Sequence, residues 1–303
     1  MIDVQRLRVL RAVAEHGSFN RAAAALRLTP SAVSQHVAVL ERSLGTPVVA
    51  RSTRGVTLTR AGRIMVQAAE SVTAELAYAQ QQVERLGTGR TQLTVATFTS
   101  GGRVLLPGAL ARLTAAHPDT VLHVREGEPE DSLALVRQGA VDLALAYHFD
   151  GPLPGQVHRN SGVRWTALLE DPLHVVLPQG HRLAGRAVLD IAELAAEPWV
   201  LGCLKTEAYL RRYAERADFV PELRGTTTDY FFAGSLVAAG MGVSLIPSIA
   251  LAPQVPGVHT IPLKDPAPAR HIGVATIARR RELPQLTTLV HALQEQATAL
   301  DLT

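Results

Sequence analysis

The sequence predicts an α+α/β chain made of an N-terminal winged helix-turn-helix, a long linker helix and a C-terminal two-lobed α/β domain. Three observations carry that expectation. Residues 7–62 hold amphipathic helical segments joined by a tight turn and followed by short β-type segments with a basic arm. Residues 59–86 are polar apart from a narrow apolar seam at helical spacing. Beyond residue 90, short apolar runs alternate with helical patterns, the order that builds α/β layers.

In the first segment, Leu7, Leu10, Val13 and Ala14 recur at helical spacing and stop at Gly17, a natural helix end. Ser18 is placed to cap the next helix, with Phe19 beside it and Ala22, Ala23 and Leu26 on the buried face. Alanines there let another helix cross closely. Thr29 and Pro30 open a third helix, Thr29 as cap and Pro30 at the first helical position, where no amide donor is lost. Val33, Val37 and Leu40 face inward, Ser31, Ser34, Gln35 and Ala38 fall outward, and Gly45 ends the helix. Hydroxyls and an amide on one face suit contacts to the phosphates and base edges of double-stranded DNA. The segment VVARSTRGVTLT then sets Arg51 and Arg54 about a tight turn, the form of a wing lying on the backbone or in the minor groove. A single helix pair is more often plain packing. The ordered series of cap, turn, polar outward face and wing is what points to a helix in the major groove.

The strings GSFNRAAAALRLTPSAVSQHVAVLERSLG and RSTRGVTLTRAG resemble the N-terminal domain of LysR-type transcriptional regulators. The match runs through Gly17-Ser18-Phe19, Ala22-Ala23, Thr29, Val33-Ser34, Leu40-Glu41, Leu44-Gly45 and Leu58-Thr59 followed by Ala61-Gly62. It departs at Val48-Val49, where that family usually carries Leu-Phe, and at Pro30, where Gln is frequent. The first exchange changes the volume of a packing site, and the second bears on which base is read.

From Thr59, a further cap, the linker helix runs to about Leu86. Its seam, Met65, Ala68, Val72, Leu76, Ala79, Val83 and Leu86, approaches a coiled-coil stripe. A helix this long between two domains has few surfaces of its own chain to cover a stripe, so dimerisation is expected, and a two-fold dimer predicts a pseudo-palindromic DNA site. Leu86-Gly87-Thr88-Gly89-Arg90 reads as a flexible joint. The domains expected are therefore 1–60 for DNA, 61–90 for the linker and 91–303 for the remainder.

In that remainder, 93–98 reads as a strand and GGRVLLPGALARLTAAH as a helix broken at Pro107. VLHVREG (strand), SLALVRQG (helix) and VDLALAYHF (strand) follow, with apolar runs that look buried on both faces, as in parallel sheets. A second set comprises LHVVLPQGH, IAELAAEPWVLG, LRRYAERAD and LVAAGMGVSLIPSIA. The chain then returns with HIGVATIARR and a last helix near 286–300. Lobe I is expected from 91–161 and 268–303, and lobe II from 162–267, with two crossings forming a hinge and a ligand cleft at the strand C-termini. EDPLHVVLPQGHRLA and LVAAGMGVSLIP look like segments of the effector-binding domain of the same regulators, itself similar to periplasmic solute-binding proteins.

Candidate effector-binding residues sit at strand ends. Phe98, Thr99 and Ser100 end a strand and open a helix, where hydroxyls and free amides suit an anion, and the resemblance implies the effector there too. Against this stands an ordinary capping turn. Tyr147 and His148 end another strand, and Cys203, Thr228 and Asp229 are the counterparts in the second lobe. Asp229 suits an amine or a helix cap, the cap being favoured. Cys203 raises redox sensing, but a small buried hydrophobe is the favoured reading.

Composition bounds the function. With 303 residues, 47% hydrophobic and 19% charged, the chain can bury more than one core. No apolar run approaches 18 residues and the N-terminus begins an amphipathic helix, so no membrane association and a cytoplasmic location are expected. One cysteine excludes an internal disulfide and a multi-cysteine zinc site, and no metal or cofactor is expected. Residues 1–90 carry 12 arginines against 6 acidic residues, whereas 91–303 carry 18 basic against 21 acidic, a polyanion-binding module on a near-neutral partner. P-loop, dinucleotide, HExxH and nucleophile-elbow motifs are absent, and Gly240-Met241-Gly242 lacks the full glycine fingerprint, so an enzyme is not expected. A purely architectural DNA protein would leave two-thirds of the chain without a role. The resemblance implies a transcriptional regulator in which a small-molecule effector closes the hinge, dimers within a homo-oligomer, a tetramer, shift, and the access of RNA polymerase changes.

Overall fold

The structure, a computed structural model, describes residues 2–52, 55–88, 91–149, 163–277 and 283–300, without the side chains of residues 51, 52, 78, 81, 82 and 84–88. The first helix, α1 (Val4–His16), starts at Asp3, whose carboxylate accepts the Gln5 amide at 2.7 Å, and ends at Gly17 with φ of 61°. Next come α2 (Phe19–Leu26) and α3 (Pro30–Leu44). Thr29 caps α3 as expected, its hydroxyl accepting the Ala32 amide at 3.2 Å. Ser18 does not cap: it holds the N-cap position of α2 without a side-chain bond, and the helix is held instead by packing of Ala22 and Ala23, both buried. Val33, Val37 and Leu40 are fully buried with Val9, Leu10 and Val13, each contributing roughly 1.5–3 kcal/mol.

The wing is an antiparallel hairpin of β1 (Val49–Ser52) and β2 (Gly55–Leu58). Three fixings explain why its flanking residues recur in the motif. Glu41 on α3 accepts the amides of Val48 (2.8 Å) and Val49 (3.3 Å), which orients β1. The Val56 amide donates to the Gly17 carbonyl at 3.0 Å, docking the hairpin on the turn after α1. Thr59 caps the linker helix α4 (Arg60–Thr88) by accepting the Gly62 amide at 3.0 Å while donating to the Pro47 carbonyl at 2.8 Å. A Cβ at Gly62 would stand 1.9 Å from the Val48 carbonyl oxygen, so only glycine lets α4 leave the domain along this path.

The remainder contains β3 (Gln92–Thr97), α5 (Thr99–Val104), α6 (Leu106–Ala116), β4 (Val121–Glu126), α7 (Pro129–Arg137), β5 (Leu143–His148) and β6 (Val163–Pro178). It continues with β7 (Pro198–Leu201), α8 (Thr206–Arg216), β8 (Glu222–Thr226), α9 (Tyr230–Ala238), β9 (Ser244–Pro247), β10 (Val258–Pro262), β11 (Ala269–Ile277) and α10 (Pro284–Ala299). The break expected at Pro107 lies at Leu105, because proline is tolerated in the first turn of α6 and the helix re-starts around it.

Two expectations about the sheet are corrected. Among the described strands, β3 pairs parallel with β4 and β5, and β7 with β8, whereas β11 pairs antiparallel with both β5 and β6. The apolar runs identify burial on both faces but are silent on direction. The main sheet is also continuous through both lobes, in the order β10-β6-β11-β5-β3-β4 with β9 on β6. Residues 163–172 of β6 pair with β11 in lobe I, and 173–178 pair with β9 and β10 in lobe II. The first crossing is therefore completed inside β6 near Asp171-Pro172 rather than at residue 161. Each lobe keeps its own core: Leu93, Leu143, Leu113 and Leu289 in one, Trp199, Leu173, Leu210 and Leu245 in the other.

Candidate functional site

Two surfaces carry the candidate residues. The first is the outward edge of α3. Thr29, Pro30, Ser31 and Gln35 are exposed and Ser34 is half-buried. The Thr29 and Ser31 hydroxyls lie 3.0 Å apart, so the first turn presents two linked hydroxyls. Arg51 pairs with Val56 across the hairpin, with its side chain outside the described residues, and Arg54 lies outside them altogether.

The second surface is a cleft of about 510 Å³, its open mouth included, between the two lobes. It forms where β3, β5, β7 and β8 end, since strands leave their C-terminal ends and loops free to face a ligand. Phe98, Thr99, Ser100, Tyr147, Cys203, Thr228 and Asp229 all line it. His148 does not. Successive residues of a strand face opposite ways, so with Tyr147 turned to the cleft His148 turns away, where its ring stacks on His271 at 5.3 Å. Asp229 is confirmed as a cap: its carboxylate accepts the Phe232 amide at 2.7 Å at the start of α9. The Thr99 hydroxyl is committed to Glu126 at 2.6 Å. Cys203 is buried, its sulfur 3.6 Å from the Tyr147 hydroxyl.

The centre of the cleft floor is Arg270, which composition and motif leave unmarked. It is 1% exposed, its Nε donating to Asp171 Oδ2 at 2.7 Å and its Nη2 to the Ser100 hydroxyl at 2.8 Å. The other oxygen of Asp171 accepts the Ile249 amide at 3.1 Å. One buried ion pair thus joins lobe I, through Ser100, to lobe II, through Ile249. Burial works against charge on the guanidinium, but the adjacent Asp171 carboxylate holds its pKa above the ordinary arginine value. The rings of Tyr147, Phe98 and Tyr230 pack within 4.8, 5.1 and 5.7 Å of it. Burial also pushes the Tyr147 and Tyr230 hydroxyls well above the usual tyrosine range, so both stay neutral. Arg103 at the mouth lies over Phe231 at 5.7 Å, and Glu128 completes the rim. The one signal for Arg270 and Asp171 in the sequence is a charge set in an apolar strand run. Gly101 and Gly202 shape the walls: a Cβ at either would stand 2.4 Å from the Phe98 ring or 2.3 Å from the Tyr230 ring.

Among the described residues no group of three or more His, Cys, Asp or Glu side chains is arranged to hold a metal ion. No described helix is long and apolar enough to cross a membrane.

Comparison with known proteins agrees with this arrangement. The family model described as bacterial regulatory helix-turn-helix protein, lysR family, matches residues 4–63, and the LysR substrate binding domain matches residues 87–298. A "Probable hydrogen peroxide-inducible genes activator" of Mycobacterium avium is 32% identical over 282 residues, covering 88% of this chain and 86% of the relative. A cysteine mutant of OxyR from Corynebacterium glutamicum superposes with a TM-score of 0.56 at 25% identity, over 98% of this chain and 94% of that one. Full-length CbnR in complex with its target DNA shares the fold, with a TM-score of 0.54 at 18% identity over 98% of this chain and 100% of that one. The chain belongs to the LysR family of DNA-binding transcriptional regulators with an effector-binding domain.

Proposed function

We propose that this regulator reads DNA through the outward edge of α3 and the wing, and that its effector is a small molecule bound between the lobes over Arg270. Thr29, Ser31, Ser34 and Gln35 meet base edges and phosphates, with Pro30 setting the entry of the helix, and Arg51 and Arg54 hold the backbone beside them. The observation that carries the reading is the pairing, in one chain, of a polar α3 edge left exposed with a cleft whose floor ties both lobes. CbnR, which shares the fold, was captured on its target DNA. Residues 1–60 are the DNA module, 61–90 the linker and joint, and 91–303 the sensing domain. The chain acts in the cytoplasm as a homodimer that pairs into a tetramer, changes the access of RNA polymerase, and turns over no substrate.

The cleft suits a molecule with hydrogen-bond acceptors for Ser100 and Arg270 and a flat or apolar part for Phe98, Tyr147 and Tyr230. The decisive experiment is a footprint on selected operator DNA: Gln35→Ala is expected to weaken or relax recognition by about 1–3 kcal/mol. An unchanged footprint assigns recognition to another face.

The place of Cys203 on the same cleft supports a second reading, a response of its thiol to an oxidant; the Mycobacterium avium relative is named for hydrogen peroxide. With one cysteine in the chain, that response has no internal disulfide to form. Peroxide separates the two: a change in DNA binding on exposure to hydrogen peroxide that Cys203→Ser abolishes belongs to the thiol, and a wild type that does not respond to peroxide leaves the response to a ligand in the cleft.

A further inference from the structure

The lobes are joined by more than their crossing strands. Helix α8 of lobe II touches lobe I at two points. At its N-cap position, the Lys205 ammonium reaches Glu128 Oε2 at 2.9 Å and also pairs with Glu130, both at the start of α7. One turn further on, the Tyr209 hydroxyl donates to the Phe149 carbonyl at 3.2 Å and the Ala269 carbonyl at 3.4 Å. Phe149 follows β5 in lobe I, and Ala269 opens β11 opposite Pro172, where β6 passes between the lobes and the chain returns. The Phe149 ring stacks on Tyr209 at 4.4 Å. The mouth and the hinge of the cleft are therefore held by the same helix, one turn apart.

The mouth contact stands directly over the candidate site. Glu128 lines the cleft, and the Lys205 ammonium lies 5.9 Å from the Tyr147 ring. Among the described residues no other lysine or arginine pairs with Glu128 or Glu130. Partial burial pulls the Lys205 pKa down, but the two carboxylates more than offset it and hold the ammonium above the ordinary lysine value. Pairs this exposed are weak and salt-screened, unlike the dry Arg270–Asp171 pair beneath. That contrast divides the labour: a permanent joint at the floor, a reversible one at the rim.

We propose that Lys205, Glu128 and Glu130 form an electrostatic latch that keeps the lobes closed over the cleft, with Tyr209 as the pivot about which they open. Its consequence for effector entry rests on the reading of the cleft as the effector site. The latch itself does not, and its test needs no effector.

Cys203 is the single cysteine of the chain and is buried within the cleft, so its reaction with the disulfide reagent DTNB reports opening. On the full-length protein, Lys205→Met and the double variant Glu128→Gln/Glu130→Gln are both expected to react about five-fold faster than the wild type. Lys205→Arg is expected to keep the slow rate. Raising NaCl from about 0.05 to about 0.5 M is expected to accelerate the wild type but not Lys205→Met. An effect through the local field alone acts oppositely, since loss of the lysine disfavours the thiolate and loss of the carboxylates favours it. Opposite changes in the two variants, or no change in either, overturn the latch. Arg211→Met breaks a pair with Glu207 on α8 away from the mouth and is expected to react at the wild-type rate. If it too reacts faster, the effect is general loosening of α8 and the latch is again overturned.

Discussion

At the scale of residues, the protein turns on a few polar groups placed where apolar ones would pack. Arg270 and Asp171 are 1% and 0% exposed, and each is tolerable only because the other is present. Removing one partner leaves an uncompensated buried charge, so Arg270→Met is expected to destabilise the sensing domain by about 3–5 kcal/mol, measured as a shift in the denaturant midpoint. Arg270→Met/Asp171→Leu is expected to recover most of that loss, and a double variant as unstable as the single one contradicts this account. His174 gives a pH-dependent counterpart. Its burial, on β6 beside the Ser248 hydroxyl at 3.2 Å, lowers its pKa below the ordinary 6.5. The unfolded chain then binds the proton more readily than the folded one. The contribution to stability is complete above pH 6.5 and is lost as pH falls below it. His174→Gln is expected to flatten that acid limb of the thermal midpoint against pH, and an unaltered limb assigns it to other groups.

At the scale of elements, the caps and the wing explain why a short string specifies the DNA module. Gly17 ends α1 in the left-handed region, Glu41 accepts two amides, Thr59 caps α4, and Gly62 permits a backbone approach that a Cβ would block, so their spacing is the fold written locally. The linker helix is different. Met65 packs on the core of the DNA module, and Ala69 and Ala74 are buried, the latter against lobe I, where a Cβ on Gly139 would stand 2.9 Å from Ala74 Cα. The later seam is left open, with Leu76 51% and Val83 67% exposed in the single chain. That is the stripe a second copy would cover. Val72→Asp/Leu76→Asp is expected to convert the dimer to a monomer in sedimentation, whereas a persisting dimer places the interface elsewhere.

At the scale of the whole molecule, two crossings and one continuous sheet make the lobes a single sensing unit whose floor couples them. A ligand at about 100 times its dissociation constant adds about 2.7 kcal/mol to the state that binds it. In a thermal-shift screen of the full chain against small carboxylates, aromatic acids, amino acids and sugars, that amounts to several degrees at roughly 2–4 °C per kcal/mol. Ser100→Ala is expected to reduce the shift while leaving DNA affinity intact. An undiminished shift moves the site away from the Arg270 floor.

The sequence by itself determined the helix-turn-helix, the Thr29 and Thr59 caps though not the one expected at Ser18, its outward face and the seam of the linker, because those features depend on residues three or four apart and on backbone preferences that travel with them. It also located seven of the fifteen described residues that line the cleft, since strand ends are marked by the small and polar residues that follow apolar runs. Only the tertiary structure decided strand direction, the passage of β6 through both lobes, and the turning of His148 away from its neighbour Tyr147. It alone joined Ser100, Asp171, Ile249 and Arg270, which lie as far as 170 residues apart. The physical reason is that a hydrogen bond or ion pair between distant segments leaves no periodic trace in either. It shows in the sequence only as a charge standing in an apolar strand, and the partner of that charge is fixed by the fold.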